Sequence, residues 1–178
     1  MVGKVIWITG LSGSGKTTLA LKLTSMLRKQ QKMVINLDGD MLRKILVDPK
    51  REKASYNKNA RLKLARQYSR LCKLLLEQEV WVLIAAISLF SEVHSWNRQH
   101  LANYFEVFLD VPISELRRRD VKGVYKAFSG NGSGNIVGLD LNFDKPISPD
   151  WHEEFDETRS SELVAKDLVA TFSSRGWL

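Results

Sequence analysis

A glycine-rich run with a lysine and a threonine lies at residues 10–17, GLSGSGKT. It matches the phosphate-binding pattern G-x-x-x-x-G-K-S/T at every fixed position. Glycines let consecutive backbone N–H groups turn inward around phosphate oxygens. Lys16 can reach the β- and γ-phosphates, and the Thr17 hydroxyl can bind Mg²⁺. An apolar run precedes the pattern and leucines at helical spacing follow it, so we predict a nucleoside-triphosphate site.

A second group of chemically active residues follows the apolar run 33–37 and consists of Asp38, Asp40 and Arg43. One carboxylate can order Mg²⁺ or its waters, and the other, which we take to be Asp40, can accept a proton from an attacking hydroxyl. Arg43 can neutralise an acceptor phosphate through its planar guanidinium group. An Asp-Gly-Asp turn is also compatible with a simple turn that caps a helix. The phosphate loop nearby favours the catalytic interpretation.

Strand and helix patterns alternate along the chain. The apolar runs that predict strands are 5–9, 33–37, 80–85 and 105–109, and the helical patterns cover 16–29, 57–78, 91–103, 113–119 and 159–173. Four apolar strands separated by helices predict an α/β fold, a three-layer P-loop NTPase fold with a parallel sheet flanked by helices. Ligands of such sheets bind at the carboxyl ends of the strands.

One irregular region covers residues 122–149 and contains the glycine-rich run 129–135, SGNGSGN. A long loop inside a compact domain is usually a lid or a binding loop. We predict a lid that excludes water during transfer, and a disordered insertion is the alternative. The chain has the length of a single domain, 1–178.

Composition narrows the class of protein. No apolar run approaches the roughly 20 residues of a membrane span, and the chain passes directly into its first strand without room for a signal peptide. The only cysteine, Cys72, excludes a disulfide scaffold and favours a cytoplasmic location. The net charge of +7 suits anionic ligands. It is also compatible with nucleic acid, but no zinc spacing or ribonucleoprotein motif supports such a partner. The histidines lack metal-ligand spacing, so we expect them to be solvated or to pack.

Several ordered motifs resemble the adenylyl-sulfate kinases. The phosphate loop reads GLSGSGKTT and is followed by LDGD with an arginine three residues later. Tyr56 and Arg61 have the spacing of the family's F-S-x-x-D-R segment. Residues 86–90, AISLF, lie where the family reads F-I-S-P-Y/F. Residues 120–126, DVKGVYK, match D-P-K-G-L-Y-K, and 135–140, NIVGLD, match N-F-T-G-I-D.

The resemblance implies ATP-dependent phosphorylation of the ribose 3′-hydroxyl of adenosine 5′-phosphosulfate, with ATP and Mg²⁺ as cofactors. It also implies a homodimer with a small-molecule nucleotide acceptor and no membrane partner. The implied catalytic residues are Lys16, Asp38, Asp40 and Lys122, and the implied metal ligands are Thr17 and Asp38. The implied ATP-binding residues are Gly10, Ser12, Gly13, Ser14, Gly15, Lys16, Thr17 and Thr18. The implied acceptor-binding residues are Asp40, Arg43, Tyr56, Arg61, Leu64, Ile87, Ser88, Lys122 and Ile136.

The departures from the family pattern lie on the acceptor side. Leu64 replaces an asparagine that contacts the acceptor, and Ile136 replaces one of the two aromatic residues that clamp its adenine. The aspartate before Arg61 is Ala60. This pattern suggests a related acceptor, and a sister activity on cytidine diphosphoramidate in capsule biosynthesis fits as the alternative. A non-catalytic nucleotide-binding protein is a lesser alternative.

Overall fold

The computed structural model describes residues 2–51, 53–121, 123–126 and 135–178. Within them it contains five strands and six α-helices, with two 3₁₀ turns at Pro49–Arg51 and Lys53–Tyr56. The strands are β1 (Lys4–Gly10), β2 (Val34–Asp38), β3 (Trp81–Ala85), β4 (Tyr104–Asp110) and β5 (Trp151–Glu154). The helices are α1 (Lys16–Lys29), α2 (Gly39–Leu46), α3 (Lys58–Glu77), α4 (Ser91–His100), α5 (Ile113–Arg119) and α6 (Ser161–Ser174).

The strands form one parallel sheet in the order β2-β3-β1-β4-β5. Side chains of β1 alternate between its two faces, as a strand buried on both sides requires. Ile6 and Ile8 pack with α1 and α6, whereas Val5 and Trp7 pack with α3 and α4. The helices therefore cover both faces of the sheet, and the predicted three-layer α/β architecture is confirmed.

The four strands and five helices predicted from the sequence all form, with shifts of a few residues at their ends. Strand β5 and helix α2 were not predicted. Strand β5 reads WHEE and is an edge strand, so it lacks the apolar run that indicates a buried strand. Helix α2 has only eight residues, which is too short for a clear helical period. The interpretation of Asp38–Asp40 as a turn that caps a helix is nevertheless correct.

The parallel arrangement brings three chain segments to one edge of the sheet. Strand β1 ends at Gly10, β2 ends at Asp38, and β3 ends at Ala85, which pairs with Asp38 in register. Because parallel strands share one carboxyl edge, the segments that follow them meet there. An apolar cluster separate from the packing on the two sheet faces includes Leu11, which follows β1, together with Tyr125 and Ile136.

A buried polar network joins α4 to β4 on the face that packs against α3. The Glu106 side chain is 2% exposed and accepts hydrogen bonds from the Tyr104 hydroxyl at 3.1 Å and from Arg98 Nη2 at 2.8 Å. It also contacts Nδ1 of the buried His94. Asp150 receives a second bond from Arg98 and the backbone N–H of Glu106. The network thus links the core of the sheet to the segment that leads into β5.

Two predictions from composition concern Cys72 and membrane spans. Cys72 is fully buried in α3, and burial raises the pKa of its thiol, as expected for a core residue. Among the helices of the described part of the chain, none combines the length and apolar character that crossing a bilayer requires.

Candidate active site

The phosphate loop connects β1 to α1 through residues with left-handed backbone conformations. Gly13 has φ 79° and Gly15, at the N-cap of α1, has φ 96°, values that L side chains rarely adopt. Lys16 Nζ donates to the carbonyl of Leu11 at 2.7 Å and lies 3.4 Å from Ser14 Oγ. The Lys16 ammonium group therefore contacts the phosphate loop itself. It lies beside the residues that are predicted to bind the phosphates.

Gly10 has no room for a side chain. An added Cβ would lie 2.6 Å from the carbonyl oxygen of Leu109 and 2.8 Å from Ser14 Oγ, with the backbone at φ +149°. We expect Gly10→Ala to lower the free energy of unfolding by about 1–3 kcal/mol, because both strain and overlap must be relieved. Thermal unfolding measures this loss. Gly176→Ala is the control, since Gly176 also has a positive φ but no atom within 4 Å of the added Cβ. Equal losses in the two variants would show that overlap is unimportant.

Asp38 uses its two carboxylate oxygens for different partners. Oδ1 accepts the backbone N–H groups of Asp40 and Met41 at 2.9 and 3.3 Å and so caps α2. Oδ2 accepts the Thr17 hydroxyl at 2.8 Å. The two predicted metal ligands are therefore neighbours. A hydroxyl and a carboxylate beside a phosphate-binding loop fit Mg²⁺, which binds few protein oxygens and completes its shell with phosphates and water.

Arg43, Arg61 and Tyr56 form a second group of residues, which lines the same cleft as the phosphate loop. We call this group the arginine wall. Arg43 Nη1 donates to the carbonyl of Ser55 at 2.5 Å and to its hydroxyl at 3.0 Å. Its Nε is buried and lacks a hydrogen-bond partner within the described ranges. Arg61 donates to the carbonyls of Tyr56 at 2.6 Å and Asn135 at 2.8 Å. Both guanidinium groups lie near the Tyr56 ring, 4.5 and 5.3 Å from its centroid.

The electrostatics of this wall favour an anionic ligand. Burial lowers the pKa of Arg61, and the positive charge of Arg43 lowers it further, while Tyr56, Asp40 and Asp140 act in the opposite direction. Arginine nonetheless stays protonated in proteins. Arg43 is buried and Arg61 is half-buried, and because their positive charges repel each other, both gain from an anion placed between them, such as a phosphate-like group.

The phosphate loop and the arginine wall face one cleft of about 640 Å³. Most of the predicted site residues line it. From the donor side these are Ser12, Gly13, Gly15, Lys16, Thr17 and Thr18, together with Asp38 and Asp40. From the acceptor side they are Arg43, Tyr56, Arg61, Ile87, Ser88 and Ile136.

Three predicted residues in the described part of the chain are not part of this lining. Gly10 and Ser14 belong to the loop but do not line the cleft. Leu64 is 4% exposed and packs in the core beneath α3, so the structure does not bring it to the acceptor side. Lys122 lies outside the described residues, as do 127–134 of the predicted lid.

Sequence reasoning missed several residues of the cleft wall, namely Lys44, Lys58, Tyr68, Phe90 and Phe143. Tyr68 lies seven residues after Arg61 in α3. Residues seven apart lie on the same face of a helix, so this spacing could have identified it. Its hydroxyl donates to the carbonyl of Gly39 at 2.9 Å, between the two aspartates.

The base of the predicted lid contacts the phosphate loop. Asp120 accepts the backbone N–H groups of Tyr125 and Lys126, both at 2.9 Å, and this turn directs the Tyr125 side chain inward. The Tyr125 hydroxyl donates to the carbonyl of Ser12 at 2.9 Å. Burial raises the pKa of Tyr125, and the charge of Asp120 adds to this effect. The phenol therefore stays a donor at neutral pH.

The fold and this cleft define a class of protein. A phosphate loop at the carboxyl edge of a parallel sheet, with two aspartates beside it and arginines opposite, is the arrangement of a P-loop kinase that acts on an anionic small molecule.

Comparison with known proteins specifies the family. The model of the adenylylsulphate kinase family matches residues 2–154. The chain therefore belongs to the adenylylsulphate kinase family and is an ATP-dependent kinase. Cytidine diphosphoramidate kinase of Campylobacter jejuni is 39% identical over 142 residues, 80% of this chain and 81% of that protein. A probable adenylyl-sulfate kinase of Pseudomonas aeruginosa is 34% identical over 98% of this chain and 79% of its own length.

A solved structure agrees with these relatives. The Mycobacterium tuberculosis APS kinase CysC in complex with AMPPNP and APS superimposes with a TM-score of 0.84 and 30% identity. The match covers 97% of this chain and 98% of the other. The similarity therefore extends over the whole sheet and both helical layers.

Proposed function

We propose that the enzyme transfers the γ-phosphoryl group of ATP to the ribose 3′-hydroxyl of a nucleotide, most directly adenosine 5′-phosphosulfate. The observation that carries this proposal is the shared cleft, in which the phosphate loop faces the Arg43–Arg61 pair. The cleft thus offers sites for two anions, a donor triphosphate and the 5′ group of an acceptor. The P. aeruginosa relative named as a probable adenylyl-sulfate kinase and the M. tuberculosis complex with AMPPNP and APS support the same activity.

We assign each residue of the cleft a role in phosphoryl transfer according to its position. Lys16 and the loop N–H groups hold the ATP phosphates, and Arg43 with Arg61 holds the anionic 5′ group of the acceptor. Thr17 and Asp38 would hold Mg²⁺, which supplies charge neutralisation at the phosphates. Asp40 accepts the proton of the 3′-hydroxyl as its oxygen bonds to the γ-phosphorus, and the bond to the β-γ bridging oxygen breaks to release ADP. Lys122 is proposed to contact the transferring group.

Cytidine diphosphoramidate is a second candidate acceptor. The aliphatic Ile136 lines the cleft where the family pattern has an aromatic clamp, and the Tyr56 ring already contacts two guanidinium groups. A smaller pyrimidine needs less stacking surface than adenine. The C. jejuni relative named for this acceptor supports the same possibility.

An assay with both acceptors tests the proposal. We expect purified enzyme with ATP and Mg²⁺ to release ADP when adenosine 5′-phosphosulfate is present at micromolar concentration, and mass spectrometry to detect one added phosphate on the acceptor. ATP without acceptor provides the background rate. Turnover with cytidine diphosphoramidate and none with adenosine 5′-phosphosulfate would select the second candidate. No turnover with either compound would refute both named acceptors.

We also propose that the protein is a homodimer of single-domain subunits, 1–178, in the cytoplasm. The homodimer rests on the family resemblance, and the location on the single, buried cysteine. Residues 122–149 are proposed to act as the lid. Light scattering of the purified protein measures the subunit number directly, and a monomeric mass would contradict the dimer.

A further inference from the structure

The Tyr68 side chain connects the apolar core to the turn that carries both aspartates. Tyr68 is 3% exposed and packs in the apolar cluster between the sheet and α3. Its hydroxyl reaches the cleft and donates to the Gly39 carbonyl at 2.9 Å. Gly39 lies between Asp38 and Asp40, so this hydrogen bond acts on the backbone from which both carboxylates extend.

Gly39 is also confined on its other side. A Cβ added there would lie 3.1 Å from the Cβ of Ala86 and 3.3 Å from the carbonyl oxygen of Ala85. The residue is therefore held between the end of β3 and the Tyr68 hydroxyl. Helix α2, which begins at Gly39, has only eight residues. Helices of that length are marginal without tertiary contacts, so the start of α2 depends on such restraints.

The Tyr68 phenol keeps its proton near neutral pH and can therefore donate a hydrogen bond. Burial raises the pKa of its phenol to about 12, and the charges of Asp40 and Asp38 act in the same direction. The charges of Arg43 and Arg61 oppose them. A phenol with this pKa is protonated throughout the range in which a kinase works. The hydrogen bond to Gly39 is thus insensitive to pH near neutrality.

We propose that Tyr68 is a positioning residue for phosphoryl transfer. Its hydroxyl fixes the Gly39 carbonyl, and the fixed turn directs Asp40 toward the acceptor hydroxyl while Asp38 faces Thr17. The inference rests on the proposed function, because it takes Asp40 as the proton acceptor. The ring belongs to the core, and only the hydroxyl acts on the site.

Tyr68→Phe tests the proposal because it removes one oxygen and keeps the ring. We expect kcat to fall about three- to tenfold, the cost of one lost hydrogen bond that orients the reacting group, with the KM for ATP within about twofold of wild type. Hydrogen exchange at the amides of Asp40 and Met41, which donate to Asp38, should accelerate. Tyr104→Phe is the matched control. Its hydroxyl also bonds a buried partner, Glu106, but lies at the amino end of β4, away from the cleft.

The control separates positioning from stability. We expect Tyr104→Phe to lower the melting temperature while kcat and exchange in α2 stay at wild-type values. If Tyr68→Phe lowers only the melting temperature, or raises only the KM for ATP, the positioning role is wrong. If Asp40→Asn keeps wild-type turnover, the proposed base is wrong. The exchange rates in Tyr68→Phe then still decide whether Tyr68 holds the turn, so the two failures are distinguishable.

Discussion

Asp40→Asn should lower kcat by roughly 10²–10⁴-fold, the usual contribution of a positioned general base. Asn has nearly the same shape as Asp but cannot accept the proton of the 3′-hydroxyl at neutral pH. The backbone N–H of Asp40 still donates to Asp38 Oδ1 in the variant, so the cap of α2 remains. The KM for ATP should change little, because the phosphate loop is untouched. ADP release at saturating acceptor and direct titration with ATP measure the two effects separately.

A second aspartate provides the control for this loss. Asp48 lies in the loop after α2 and accepts only the backbone N–H of Lys50 among the bonds described for it. Asp48→Asn removes the same charge outside the cleft lining and should leave kcat unchanged. A fall of less than about threefold in Asp40→Asn would show that Asp40 is not the base, since a positioned general base typically contributes about 10²–10⁴-fold.

Glu106→Gln should lower the free energy of unfolding by about 1–3 kcal/mol at pH 7, the typical cost of losing hydrogen bonds to a buried charged group, because Arg98 is partly exposed and keeps its ion pair with Asp150. The variant keeps the volume of the side chain but leaves Arg98 facing a neutral amide where a buried carboxylate had been. Burial opposes ionisation of Glu106, but the bonds and charges of His94 and Arg98 outweigh it and lower its pKa from 4.5. Urea denaturation measures the difference from wild type.

The same network predicts a pH dependence with a definite sign. Because the pKa of Glu106 is lower in the folded than in the unfolded protein, its contribution to stability is complete above about pH 4.5. That contribution is lost as the pH falls through the folded pKa, and the Gln variant has no such loss. The stability gap should therefore narrow below pH 4.5. A gap that stays constant from pH 7 to pH 3 would refute the assignment.

An exposed ion pair serves as the comparison for Glu106. Glu92 accepts from Arg66 at 2.9 Å, and both side chains are about half exposed. Glu92→Gln removes the same charge on α4, the helix that the Glu106 network joins to β4. We expect it to change stability by less than about 1 kcal/mol, because solvent screens such pairs. Similar losses for the two variants would mean that burial of Glu106 does not determine its contribution.

The phosphate loop could be predicted from the sequence because its chemistry is local. Consecutive residues from Gly10 to Thr17 form the whole unit, and the flanking strand and helix have clear periods of their own. Asp38 and Asp40 could be placed beside it for the same reason, since they follow a parallel strand directly. The parallel sheet and its two helical layers followed from the alternation of strands and helices, whereas the order of the strands and the edge strand β5 did not.

Contacts between distant residues could not be predicted in this way. Tyr68 contacts a residue 29 positions earlier, and nothing in its own helix indicates the partner. His94 carries no sign of its buried contact with Glu106, which lies on another element. Leu64 aligns with an acceptor-binding asparagine, but an apolar side chain at that place packs into the core rather than the cleft. Tertiary packing decides each of these positions.

The Asp38 side chain has two roles, as the cap of α2 and as a proposed metal ligand, so its substitution affects both. One of its oxygens starts α2, and the other meets the hydroxyl of Thr17. Any replacement of Asp38 therefore alters the local fold and the proposed metal site together, and its kinetic defect contains both effects. In the described contacts, the Thr17 hydroxyl donates to Asp38 but does not cap α2. Substitutions at Thr17 thus test the proposed magnesium site alone, whereas those at Asp38 also change the start of α2.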